Sequence, residues 1–292
     1  MNRPKHFFLL LLAILLPAIV LDSNFTIAQN SRSKSKKGSA KYITLSFDTS
    51  IAQLGPNFMG HNLKEIYDKI QERQSKIEEK NEFETTEHFE KRKYDLASQP
   101  ITGKIFFESI LAFRIDDCPS AYNADAEVLR IICPFTWAFD QELSSDDKAV
   151  QWKFESIDKD PYFGTNAFGA TVQVFRGETR YFNIAIKNHA DFEIASLDAT
   201  QPWKDNGFII TLGIKLNEAR NLKGKISALL VGKLIRPFVS KHDEYGKPTF
   251  DHPFEDTNVH HYLHAFVFEV WFFDFSTGTI LAKSKIIPWH KR

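Results

Sequence analysis

The sequence predicts an α+β protein, with N-terminal helices packed on a mainly antiparallel β-sheet or sandwich. Three observations predict it. Sustained helical periodicity lies before Pro100, where apolar side chains recur every three or four positions. From Ile101 onward, apolar runs alternate with Gly, Pro, Asn and Asp punctuation, the texture of strands and turns. Phenylalanine occurs 27 times and methionine twice, which describes a rigid aromatic core. Helices followed by strands, with no fixed-period repeat, point to segregated α and β parts rather than a propeller or solenoid.

Residues 1–28 begin with Arg3 and Lys5, continue through an apolar run from Phe7 to Leu21, and end in Thr26-Ile27-Ala28. That is the layout of a secretory signal peptide cut after Ala28. Its apolar core is short for a ~30 Å hydrocarbon layer, so a retained anchor is the lesser reading. Residues 29–41 are rich in Ser and Lys, with five basic side chains from Asn30 to Lys41 and no acid, and read as a disordered basic linker.

Residues 42–100 are expected to form a strand plus a two-helix segment. Tyr42–Phe47 alternates as a strand, and Leu54-Gly55-Pro56-Asn57 is a turn. Leu63, Ile66, Tyr67, Ile70 and Ile77 share one helical face. Thr85 is placed to cap a second helix running to about Ala97, Glu87 favours its first turn, and Phe83 and Phe89 could staple its start.

Residues 101–292 form the antiparallel β-rich region, expected to make one globular unit with 42–100. Strands are expected at Lys104–Ile115, Val128–Phe139, Val150–Ile157, Ala170–Phe175, Arg180–Lys187, Phe208–Leu216, Ile226–Ile235, His261–Phe275 and Ile280–Ile287, with a helical turn at Asn217–Leu222. Tyr262–Phe275 is apolar on both faces, so it reads as a central strand covered on two sides; a sugar-stacking platform would need a polar face. Gly278 supplies the positive φ that the following hairpin loop needs.

Composition narrows the function classes. Without residues 1–28 the chain keeps 264 residues and a net charge of −1, so it has no bulk attraction for nucleic acid or anionic lipid. No later apolar run approaches the ~20 residues of a transmembrane helix. Cys118 and Cys133 are the two cysteines, and an even pair in an oxidising compartment makes a disulfide candidate. If Phe106–Ile115 and Val128–Phe135 form one hairpin, Cys133 lies opposite residue 109, and a bridge needs Pro119–Asp125 to fold back. Two buried, inert thiols are the alternative.

Several segments recur in order: Gly60-His61-Asn62, Phe83-Glu84-Thr85 with Phe89-Glu90-Lys91-Arg92, Tyr122-Asn123-Ala124-Asp125, Asn166-Ala167-Phe168-Gly169, Glu218–Lys223, and Asp274–Gly278 with Ile280-Leu281-Ala282-Lys283. Together they resemble a family of uncharacterised secreted or periplasmic bacterial proteins. The family pattern usually has Asp where Asn123 stands, and its cysteines are not fixed. The resemblance implies an envelope location and a helix-then-sheet layout, and no reaction.

The richest polar stretch runs from His242 to His264 and includes Asp243, Glu244, Asp251, His252, Glu255, Asp256, His260 and His261. These are ligand types for zinc or a related divalent ion, and on a strand His260 and His264 share a face, with Asp256 near in sequence. The helical His-Glu-x-x-His signature is absent, and the acids before Tyr262 read as a solvated loop. No Gly-x-Ser-x-Gly elbow occurs, and the adjacent acids Asp116-Asp117 and Asp146-Asp147 would point apart on a strand. The expected function is a non-catalytic binding or interaction protein, exported to the periplasm or beyond, with no catalytic, cofactor or metal residues assigned. Its expected partner is an envelope protein or a small ligand. The alternative is a secreted metal-dependent hydrolase using His260, His264 and an acid such as Asp256.

Overall fold

The computed structural model describes residues 41–77, 80–116, 118–134, 136–137, 148–188, 194–196 and 206–285. The expected signal peptide, and the expected linker up to its last residue, lie outside them. The described residues belong to one compact unit. With 52% of the described residues in strands and 16% in helices, the fold is sheet-dominated, and the expected α+β description fits it loosely.

Strand β10 (Phe254–Asp274) organises the larger sheet. It pairs antiparallel with β9 (Ile226–Gly246) along most of its length. On its other edge lie β6 (Thr171–Ile186), parallel, and then β11 (Ile280–Lys285), antiparallel. β6 pairs with β5 (Lys148–Thr165), which carries the short β4 (Thr136–Trp137), and β9 takes β1 (Leu111–Ile115). The second sheet has the order β2 (Ser120–Asn123), β3 (Val128–Pro134), β8 (Asn206–Gly213), β7 (Ile194–Ser196), all antiparallel. Among the strands of the described residues β6–β10 is the one parallel pair, beside the isolated parallel bridge of Leu45 to Lys104, so "mainly antiparallel" is accurate.

The two-sided burial expected for Tyr262–Phe275 is present. Leu263, Ala265, Val267, Val270 and Phe272 join a core that includes Ile66, Tyr67 and Ile70 of α1 (Leu63–Ser75) and Ile131 and Cys133 of the smaller sheet. Trp271 and Phe273 face the opposite way, into a cluster with Phe47, Leu54, Leu229 and Val231. Simple alternation would put Val267 and Val270 on opposite faces. An irregularity between Val267 and Glu269 shifts the register by one residue and brings them together.

α1 is capped by Asn62, whose side chain accepts from the Glu65 N–H at 3.1 Å. The Thr85 cap of α2 (Thr86–Ser98) also forms, accepting from His88 N–H at 3.2 Å. α2 nevertheless buries none of its residues, against the expectation of helices packed on the sheet. Arg92 and Lys93 interrupt its apolar stripe and cover the Phe89 ring at 5.0 and 4.8 Å. Phe83 is 90% exposed, so the expected staple is not made.

Other boundaries shift for identifiable reasons. Tyr42–Phe47 makes a single bridge, Leu45 to Lys104, rather than a strand; Phe47 is held by its own N–H to the Ile110 carbonyl and by its ring against Trp271. The expected strands Ala170–Phe175 and Arg180–Lys187 are one strand, β6, which passes through Gly177. Lys104–Ile115 shrinks to β1, and Glu255–His260, expected in a loop, lies in β10. The short α3 (Leu216–Leu222) stands where the helical turn was expected.

The cysteines correct the expected hairpin. β1 pairs with β9, whereas β3 pairs with β2, with Ser120 opposite Ile131 and the Ile132 N–H bonded to the Pro119 carbonyl at 2.9 Å. Continuing that register sets Cys118 across from Cys133, not residue 109. Both are buried free thiols, so the expected disulfide is not present. Burial, reinforced by the hydrogen bond with Cys118, pushes the Cys133 thiol well above its usual range. In the folded protein both thiols should resist a disulfide reagent such as DTNB, and two should titrate once guanidinium unfolds the chain; fast native reaction, or no thiols after unfolding, would contradict this arrangement.

Gly278 has the expected positive φ, +78°, and a further constraint. Its carbonyl accepts from the Leu54 N–H at 2.9 Å, and an added Cβ would stand 2.1 Å from the Leu54 carbonyl oxygen. Gly278→Ala should therefore destabilise the fold by about 1–3 kcal/mol, read by urea denaturation.

Candidate functional site

Strand alternation sorts the histidines of the β9–β10 hairpin onto two faces. His242 lies opposite His260 in the β9–β10 register, on the face that also carries Tyr262, His264 and Asp256. His261 points through the sheet to the α1 side, between Tyr67 at 4.9 Å and Phe182 at 4.7 Å.

His260 is buried and lies flat against Tyr181, centroids 4.9 Å apart. The Gln151 amide nitrogen is 3.3 Å from its Nδ1, and its Nε2 is 3.6 Å from the Glu244 carboxylate. Burial pushes its pKa down, against the pull of Glu244. His264 is fully buried, with Nε2 2.8 Å from the Ser240 hydroxyl. Asp256 is exposed, beside Gly177.

The three sequence candidates thus share a face but do not converge. Four residues of extended chain separate Asp256 from His260, and four more separate His260 from His264, about 13 Å each. Zinc needs its ligand atoms within about 2.0–2.3 Å of one ion. Among the described residues no three His, Cys, Asp or Glu side chains group to hold a metal. Each histidine is instead engaged with neighbours across the sheet.

His61, from the Gly60-His61-Asn62 segment, is likewise built into the framework. Its Nδ1 accepts from the Ala112 N–H at 2.9 Å, which leaves the proton on Nε2 to donate to the Leu45 carbonyl at 2.8 Å. The basin around His261, about 410 Å³, is rimmed by charges that neutralise one another: Lys64 with Asp68, Arg180 with Glu155 and Glu178, Lys241 with Asp243.

The feature that the sequence reading passed over is the far end of the four-stranded ribbon β9-β10-β6-β5. Because β6 and β10 run parallel, the β5–β6 and β9–β10 turns lie at the same end. Seven large side chains are exposed there, all aromatic: Tyr162, Phe163, Phe168, Phe175, Tyr245, Phe250 and Phe254. Pro161–Phe175 contains no charged residue in a chain that is 25% charged. That gap in charge, within a run of turn and aromatic residues, was the available signal.

The end is ordered by its own bonds. The Asn166 side chain accepts from the N–H groups of Phe168 and Ala170, and its carbonyl accepts from Gly169, which has φ +82°. Phe168, at the tip, is 95% exposed. Phe175 stacks on Phe254 at 5.6 Å. On the opposite face, Tyr162 donates to Glu255 at 2.9 Å and Arg176 pairs with it at 3.1 Å. Those bonds, Tyr162 foremost, hold the Glu255 carboxyl below its usual range. The outer edge of β5 is blunted by Asp158, Lys159, Asp160 and Pro161 and by two register shifts, which disfavours strand addition along the side.

Comparison with protein-family models, with curated protein sequences and with solved structures returned no match to this chain. Its class therefore rests on its own architecture: a two-sheet, strand-dominated protein with a ribbon ending in exposed aromatic side chains.

Buried His61 and half-buried His261 set a pH dependence. Burial lowers the pKa of His61 and takes His261 down to about 4, whereas an unfolded histidine titrates near 6.5. Below about pH 6.5 the unfolded chain gains protons that the folded chain refuses, so unfolding becomes easier. The contribution is complete above that pH, falls as pH drops toward about 4, and levels off beneath it. Urea midpoints should rise between pH 4.5 and 6.5, and His261→Phe should flatten that rise; an unchanged slope in the variant would remove His261 as a cause.

Proposed function

We propose that this chain is an exported, non-catalytic binding protein of the bacterial envelope, and that it engages its partner through the aromatic end of the β9-β10-β6-β5 ribbon. The single observation that carries this reading is the concentration of exposed rings at one ordered end of the ribbon, where the segment Pro161–Phe175 carries no charge. Contiguous exposed apolar surface is uncommon on a water-facing protein and marks interaction sites, and interface centres favour aromatic side chains and disfavour charge. An exposed Phe held in place by its turn loses little freedom on binding.

The way reactive groups are used supports the non-catalytic part. The thiols are buried and Cys133 is hard to ionise, the buried histidines are bonded or stacked, and the acids near His261 pair with bases. Export is supported by the three-part layout of residues 1–28. The reading is tested in intact bacteria with a photo-crosslinking residue in place of Phe168 or, as control, of exposed Phe83 in the turn before α2. Adducts should form from position 168 and not from 83, and the protein's intact mass should begin at Gln29. Equal labelling from both positions would discard the ribbon end as the contact, and a cytosolic chain with its leader attached would discard export.

A further inference from the structure

A second surface, on different elements, is built for a different kind of ligand. α1, α2 and the middle of β9 enclose a cleft of about 840 Å³, within the size range of small-molecule sites. Its β9 wall exists because the strand bulges: Leu263 pairs with Val239 and Ala265 with Leu234, so residues 235–238 are pushed out of the ladder. Phe238 is held there at φ +70°, a left-handed conformation that side-chain-bearing residues avoid and that collects at functional sites. Its ring packs on Phe107 at 4.5 Å.

The chemistry of the lining is two-part. Ile77, Ala97, Phe107, Pro237 and Phe238 supply apolar surface. Among the described lining residues Arg73, Lys93 and Arg236 are positive and Glu108 negative. Lys93 is paired outside the lining with Glu90 at 2.6 Å, and Arg73 also donates to the Gln99 and Pro100 carbonyls, which leaves Arg236 as the cation facing the cleft with no ion pair among the described residues. Arg73 and Arg236 lie 5.5 and 5.7 Å from the Phe107 and Phe238 ring centroids, so cationic heads border aromatic floor. α2, one wall of this cleft, buries none of its residues, so a helix that would gain from apolar cover flanks an apolar space.

We propose that this cleft binds an amphipathic anion: one carboxylate or phosphate head set against the Arg73, Lys93 and Arg236 side, and an apolar body laid over Phe107, Phe238 and the facing side of α2. The charge imbalance selects the sign of the head, and the aromatic floor requires the body. A free small anion lacks the apolar part, and a cationic amphiphile meets a described lining that is positive on balance, with Arg73 and Arg236 against Glu108.

Isothermal titration of the purified protein with dodecanoate, below its micelle concentration, tests this directly. Dodecanoate should bind, and dodecyl phosphate alongside it tells which head is preferred. Butanoate, inorganic phosphate and dodecyltrimethylammonium should each bind at least tenfold more weakly. The exposed double change Lys93→Glu with Arg236→Glu should weaken dodecanoate at least tenfold. Ala97→Trp, which fills the cleft from the helix side, should do the same without reversing any charge, and thermal melts of both variants should match the parent. The proposal is overturned if dodecanoate fails to bind, if the cationic amphiphile binds equally, or if a folded variant binds as the parent does.

Discussion

The structure depends on a single strand that is paired on both edges and, from Val270 to Asp274, buried on both faces. β10 is bonded to β9 on one side and to β6 then β11 on the other, while its side chains fill one core toward α1 and another toward Phe47 and Leu54. Pairing on both edges and burial of both side-chain rows at its end specify the register of such a strand strongly. The bulge beside Glu269 is tolerated because it delivers Val270 and Phe272 to the same core as Val267. Elements that touch neither core, such as α2 and the ribbon end, are left to be shaped by local capping and turn bonds.

That division explains what could be read from the chain. The β10 segment was legible because burial on both faces writes a continuous apolar run. α1 was legible because Ile66, Tyr67 and Ile70 fall on one stripe, and the Thr85 cap because its chemistry is local. The extent of the ribbon was not legible. Apart from the expected Ala170–Phe175, where Val174 is buried, its strands between Asp158 and Thr179 and from Lys241 to Asn258 are mostly exposed, so little alternation records them, and polar side chains that look like loop are cross-strand partners. Candidate-site residues suffered the same way. His260 and His264 were expected on one face with Asp256 only near them in sequence, and proximity in sequence does not become proximity in space on an extended chain. The cysteine register failed for a topological reason, because β1 left its neighbour in sequence to pair with β9 more than a hundred residues away.

The two surfaces proposed as binding sites share a structural origin in departures from regular pairing. The cleft exists where β9 leaves the ladder for residues 235–238, and the aromatic end exists where the ribbon outruns the layers that cover the rest of the sheet. Both are places where the chain forgoes burial that continued regular packing would have supplied, and both are fixed by specific bonds rather than left loose. Phe238 is pinned against Phe107, and Phe168 is presented by the Asn166–Gly169 turn. Polar histidines in the sheet, by contrast, sit in the regular ladder and act as part of the framework.

The seam between β6 and β10 joins Phe175 to Phe254 and Ile186 to Ala265, partners 79 residues apart in the chain. Everything between them, including the whole of β8, α3 and β9, must be looped out before that seam can close. Chains dominated by such distant pairings reach their final form slowly, because the entropy of bringing the ends together is lost before the contacts are gained. Neither hairpin can recruit the other until synthesis has passed Ala265, so assembly of the large sheet is an act of the finished polypeptide and not of its growing N-terminal half.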